Sequence, residues 1–148
     1  MKSDEAGDDR ISAQRWAEDA RRALDASGLA GLSPLLADDF VQESRRSTPF
    51  EFNRTQVLGS FEIMSQMEMS VGGTDIATAG DRCLLTRRTY RYPTGSTELL
   101  AVSVWDDEGR LVRFVEFDAD ALDDALATLA DVSGEPVKMC ADDEPGAT

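Results

Sequence analysis

Apolar positions along the chain change their period several times, and each change marks an element. Between residues 10 and 26, Ile11, Trp16, Ala20, Ala23 and Leu24 recur at near-helical spacing with polar and charged residues between them. That pattern predicts an amphipathic helix, which Ser27-Gly28 stops. A short second helix is expected over 29–36, with Pro34 tolerated near its first turn. Residues 40–46 alternate as a strand, and residues 48–52 read as a loop around Pro49. Asn53 and Gln56 then have the spacing of a capping box, in which each side chain satisfies a backbone N–H of the other residue. The helix they open carries Val57, Phe61, Met64 and Met67 along one stripe to about residue 70.

Past Gly72-Gly73 the period shortens, predicting strands over 75–79, 82–92, 98–105 and 111–117. Gly80-Asp81 and Pro93 end the first two. Asp106-Asp107-Glu108-Gly109 joins the last two as a hairpin, with a glycine free to take positive φ. Asp118 is expected to cap a final helix whose apolar face is Leu122, Ala125, Leu126 and Leu129, ended by Gly134. Helices first and an antiparallel meander later indicate an α+β fold, with helices against one face of a curved sheet. Residues 10–133 form one domain in this reading. The acidic residues 1–9 and the segment 134–148, with its prolines, glycines and acidic run, are expected to be disordered tails.

Composition narrows the function classes. A chain of 148 residues, 41% hydrophobic and 30% charged, is sized for one core without metal or disulfide staples. Its 29 acidic against 15 basic residues, a net charge of −14, repel phosphate backbones and anionic lipid, so nucleic acid and membranes are not expected partners. Cys83 and Cys140 lack framework spacing and no histidine is present. Two reduced thiols are expected, with neither a zinc set nor a cofactor. The N-terminus lacks an apolar signal core and no apolar run is long enough for a bilayer, which gives a cytoplasmic expectation. The sequon Asn53-Arg54-Thr55 is then a chance match.

The order of elements, with A-D-D-F-V-Q-E at 37–43 and D-E-G-R-L-V-R-F-V-E-F-D at 107–118, resembles the nuclear transport factor 2 superfamily. That group includes SnoaL-like polyketide cyclases, ketosteroid isomerases and limonene epoxide hydrolases; the closer resemblance is to SnoaL-like domains of actinobacteria. The resemblance spans about residues 10–132. It implies a cone-shaped, strongly curved, mainly antiparallel sheet wrapped around helices, with an interior pocket and frequent homodimers. The position matching the isomerases' general base is Ser44, whose hydroxyl has no adjacent base to activate it. Their oxyanion donors fall on Ala20 and near Ala101 or Val102. The epoxide hydrolases' arginine matches Arg88, but Tyr90 and Val115 stand at their two aspartates. The resemblance therefore implies a pocket without the family's acid–base sets.

Within that fold, alternation turns Glu43 opposite to Ser44, toward solvent or an ion pair. The match at Arg88 favours Leu84, Thr86, Arg88, Tyr90 and Tyr92 as the inward phase of strand 82–92. The candidate ligand-binding residues are Arg88, Tyr90, Ser44, Gln42, Met64, Met67 and Arg113, with Val115 and Phe40 as apolar wall. Arg88 suits a carboxylate, enolate or similar oxygen-rich group, and its alternative role is a structural pair with Glu116 or Glu98. The expected function is a regulatory or non-catalytic domain that binds a small hydrophobic, carboxylate- or carbonyl-bearing molecule, in a homodimer. Two alternatives stay open: an isomerase, cyclase or epoxide hydrolase of polyketide-like or terpenoid substrates with Arg88 and Tyr90 as oxyanion stabilisers, and a protein-interaction module with a filled cavity.

Overall fold

In a computed structural model of the chain, residues 10–64, 66 and 68–140 are described. The expected N-terminal tail 1–9, residues 141–148 of the expected tail 134–148, and the candidate Met67 lie outside the described residues. The elements run α1 (Ser12–Ser27), a 3-10 helix (Gly28–Leu35), β1 (Leu36–Ser44), β2 (Phe50–Asn53), α2 (Arg54–Met64), β3 (Ser70–Ala79), β4 (Cys83–Tyr92), β5 (Gly95–Trp105), β6 (Leu111–Asp118), α3 (Leu122–Ser133) and β7 (Val137–Met139). The strands form one sheet in the order β2-β1-β6-β5-β4-β3-β7. β3 to β6 are the antiparallel meander, and β1 joins it by a parallel pairing with β6. The molecule is α+β.

Local signals in the sequence are realised at several boundaries. Asn53 N donates to Gln56 Oε1 and Gln56 N to Asn53 Oδ1, both at 2.9 Å, closing the capping box at the start of α2. Gly134 ends α3 at φ 64°, in the left-handed region where glycine has no Cβ penalty. Gly109 takes φ 82° in the β5–β6 hairpin, and a Cβ there would lie 2.8 Å from Trp16 Nε1. The hairpin therefore presses directly on α1, where Trp16 also meets Trp105 at a ring-centroid separation of 6.2 Å.

Other boundaries differ from expectation because pairing outweighs local composition. Residues 50–53 form edge strand β2 against β1 rather than a loop, with the Phe50 and Phe52 rings in tilted contact at a centroid separation of 4.6 Å. α2 stops at Met64 instead of about residue 70, and Gly72-Gly73 lies inside β3, where it pairs with Thr89 and Arg88. Residues 137–139, expected in a tail, pair with β3 as β7. Asp118 does not cap α3: its carboxylate binds Arg46 Nε at 3.3 Å, and Ala121 is the N-cap, with no side-chain hydrogen bond. The N-terminus of α1 is capped from a distance, since Ser12 N donates to Asp81 Oδ1 at 2.9 Å and Ala13 N to the Asp81 carbonyl at 3.0 Å. Donation from Ser12, its backbone N–H foremost, holds the Asp81 carboxyl below its usual range.

The expectation of helices on one face is corrected. Successive residues of a strand point to opposite faces, and here both faces are covered. Leu85, Leu100, Val102, Val115 and Phe117 pack under α3 through Ala125 and Leu129. Leu84 and Trp105, on the other face, meet Ala13 of α1, while Leu36 and Phe40 of β1 meet Val57 of α2. The space between these last two clusters is the cavity.

Candidate functional site

The cavity lies between the inner face of the sheet and α1, the 3-10 helix and α2, with a volume of about 480 Å³. That is within the range of small-molecule sites. Most of the wall is apolar: Phe40, Val57, Phe61, Met64, Leu99 and Phe114 among others. β4 contributes Leu84, Thr86, Arg88, Tyr90 and Tyr92, one full phase of the strand. Gln42 comes from β1 and Glu116 from β6.

Of the residues expected in the site, Gln42, Met64, Arg88 and Tyr90 line this cavity. Ser44 is on the same face, in parallel register with Glu116, but it is buried behind the wall and its Oγ accepts from Arg46 N at 3.4 Å. Arg113 is a correction. It sits on the opposite face, where its Nη2 pairs with Glu43 Oε1 at 2.9 Å. Val115 is likewise under α3 and not in the cavity. Glu43 is ion-paired as alternation required, with Arg45 Nε at 2.6 Å as well, and Arg45 followed by Arg113 holds its carboxyl below the usual range.

The phase of β6 is thus one residue away from the expected one, and its consequence is chemical. Phe114 and Glu116 face the cavity, so the hollow does contain a carboxylate. The premise of a pocket without a proton acceptor is overturned. Glu116 is only 7% exposed. Desolvation pushes its carboxyl above the usual range, against the opposing effects of Arg46, a Gln42 hydrogen bond and Arg88, in that order. Its cross-strand neighbour on β5 is the fully buried Ala101, and Thr86 follows on β4.

Arg88 stands two strands from Glu116. Neither partner considered for it from the sequence is bonded to it: Glu98 pairs with Arg87 at 3.7 Å, and Glu116 feels the Arg88 charge without an ion pair. The guanidinium carbon lies 5.2 Å from the Phe114 ring centroid and 5.9 Å from that of Tyr90. Its Nε is buried with no hydrogen-bond partner among the described residues. A buried donor in that condition costs about 1–3 kcal/mol until an acceptor reaches it. Burial raises the Tyr90 phenol above its ordinary value, Arg88 opposes that and Glu116 adds to it, so Tyr90 stays a protonated donor at neutral pH.

Arg21 and Arg46 also line the cavity, and neither was singled out from the sequence. A signal existed for Arg21, which sits four residues after Ala17 and three before Leu24 on the stripe of α1 that faces inward. Among the described residues no three His, Cys, Asp or Glu side chains converge as a metal site, and no helix is long and apolar enough to cross a membrane.

No protein-family model and no curated protein matches the chain. Solved structures do. A Mycobacterium tuberculosis protein in complex with estradiol-17beta-hemisuccinate is 13% identical, covering 72% of this chain and 93% of that one at a TM-score of 0.58. A nuclear transport factor 2-like protein of unknown function from Cytophaga hutchinsonii is 9% identical, covering 74% and 91% at a TM-score of 0.54. The chain has the nuclear transport factor 2-like fold. An M. tuberculosis LEH-like epoxide hydrolase shares it at 20% identity, covering 84% and 94% with a TM-score of 0.57. Within the nuclear transport factor 2-like fold, the inner sheet face and the helices over it are the elements that enclose the cavity here.

Proposed function

We propose that the cavity binds a small hydrophobic molecule bearing a carbonyl or epoxide oxygen, and that Glu116 transfers a proton to or from it. The observation that carries this reading is Glu116 itself, a carboxyl buried in a ligand-sized apolar cavity that also holds Arg88 and Tyr90. A carboxyl whose pKa is raised by its surroundings is a stronger base than an exposed one, and perturbed groups of this kind concentrate at functional sites. Glu116 accepts the proton from a carbon beside a carbonyl, or from a water adding to an epoxide. Negative charge then grows on the ligand oxygen, where the Tyr90 hydroxyl and the Arg88 guanidinium donate hydrogen bonds. The fold neighbours lend support, since one was solved with a steroid hemisuccinate and another is described as an epoxide hydrolase.

The test is a panel of hydrophobic enones and epoxides, read as deuterium exchange with solvent and as diol formation. Glu116→Gln should lower kcat/KM by at least about 100-fold, the scale of general acid–base catalysis, while the compound still binds. Compounds that bind without turnover by the wild-type protein would sink the catalytic reading. They would leave the alternative, a non-catalytic binding domain, which the mostly apolar wall and the orphaned Arg88 Nε favour equally.

A further inference from the structure

The charges in the cavity wall do not balance. Among the described residues its charged side chains are Arg21, Arg46, Arg88 and Glu116, three cations and one anion in a chain whose net charge is −14. Arg46 pairs with Asp118 and is also the main charge opposing the desolvation of Glu116, whereas among the described residues neither Arg21 nor Arg88 makes an ion pair. Glu18, the carboxylate that feels the Arg21 charge, is ion-paired with Arg10 and Arg22 instead. An uncompensated guanidinium drawn toward an apolar hollow costs free energy that an incoming anion offsets.

The location of Arg21 is also specific. Its Nη1 lies 3.8 Å from where a Cβ on Gly73 would be, and Gly73 is the direct register partner of Arg88. The absence of a side chain at Gly73 leaves room for a second guanidinium at the β3–β4 side of the cavity. Glu116 is on β6, three strand spacings away, on the order of 14 Å across the sheet.

We infer that Arg21, beside Arg88, forms a carboxylate-binding subsite at the β3 side, so that the ligand is an elongated hydrophobic monocarboxylic acid spanning the sheet. The inference rests on the proposed function of this same cavity. The carboxylate lies under Arg21, and the oxygen on which chemistry occurs lies between Arg88, Tyr90 and Glu116. Bidentate hydrogen bonding to a planar carboxylate is the geometry a guanidinium provides best.

Dodecanoate and dodecan-1-ol, both long enough to span that distance, are the probes. Trp105 in the wall reports binding by fluorescence. Wild-type protein should bind dodecanoate at least about tenfold more tightly than the alcohol at pH 7.5. Arg21→Gln should erase that preference and Arg21→Lys should keep part of it, with each variant's fold checked by circular dichroism. Equal affinity for the two probes, or a preference that persists in Arg21→Gln, overturns the subsite while leaving the cavity reading intact. Failure of the wild-type protein to bind either probe overturns both.

Discussion

Glu116 concentrates the conflict between stability and function in one side chain. Its folded-state pKa is raised, so the native protein holds this proton to higher pH than the unfolded chain does. Above the folded pKa the ionised carboxylate is more costly in the native state than in the unfolded one. As pH falls through that value, the native state gains the proton first and the penalty is relieved. Glu116→Gln should therefore raise Tm at pH 7–8, by about 2–4 °C for an effect near 1 kcal/mol in a chain of this size. Thermal melts against pH should show the gap close toward the ordinary glutamate range near pH 4.3. A gap that stays constant with pH would mean that Glu116 does not titrate in the folded protein as its burial demands. The expected gain in stability with loss of turnover is the usual trade at a strained site.

At the scale of elements, α2 links a local sequence signal to the cavity. Its reciprocal Asn53–Gln56 bonds fix where the helix starts, and that start sets Val57, Phe61 and Met64 against the hollow. Asn53→Ala should cost about 1 kcal/mol in urea denaturation and weaken ligand binding through the displaced wall. An unchanged denaturation midpoint would show that packing, not capping, positions the helix. β6 illustrates the opposite case. Residues 111–118 carry apolar side chains in both phases, Val115 and Phe117 in one and Val112 and Phe114 in the other. Alternation alone cannot choose between them when both faces of a strand are covered. What packs on each face decides that Glu116 meets the cavity and Arg113 the opposite side.

For the whole molecule, that two-sided covering separates stability from site chemistry. α3 and the sheet face beneath it form one core, and the cavity is on the other face. Leu129, fully buried in α3, should cost about 2–5 kcal/mol on truncation to alanine. Dodecanoate affinity should change by less than about threefold in the folded variant. A large loss of affinity would mean that the sheet transmits packing changes from one face to the other. The same architecture explains why an acidic protein can hold a cationic interior: surface carboxylates are screened by water and salt, while Arg21 and Arg88 act across an apolar space that screens little.

Period, caps and turn residues determined the type of the long segments, α1, α3 and the strands of the meander, but not β2, β7 or the end of α2. They did so because these preferences act within a few residues: the Asn53–Gln56 box, Gly109 at positive φ and Gly134 after α3 are all set locally. Alternation also made Glu43 an ion-paired residue of the face opposite to Gln42. What only the tertiary structure decided was the pairing of β1 with β6, the addition of β2 and β7, and the landing of α3 on the far face of the sheet. Those long-range choices put Arg21, Arg88 and Glu116 around one cavity, because a strand's two faces become chemically distinct only when something packs on each.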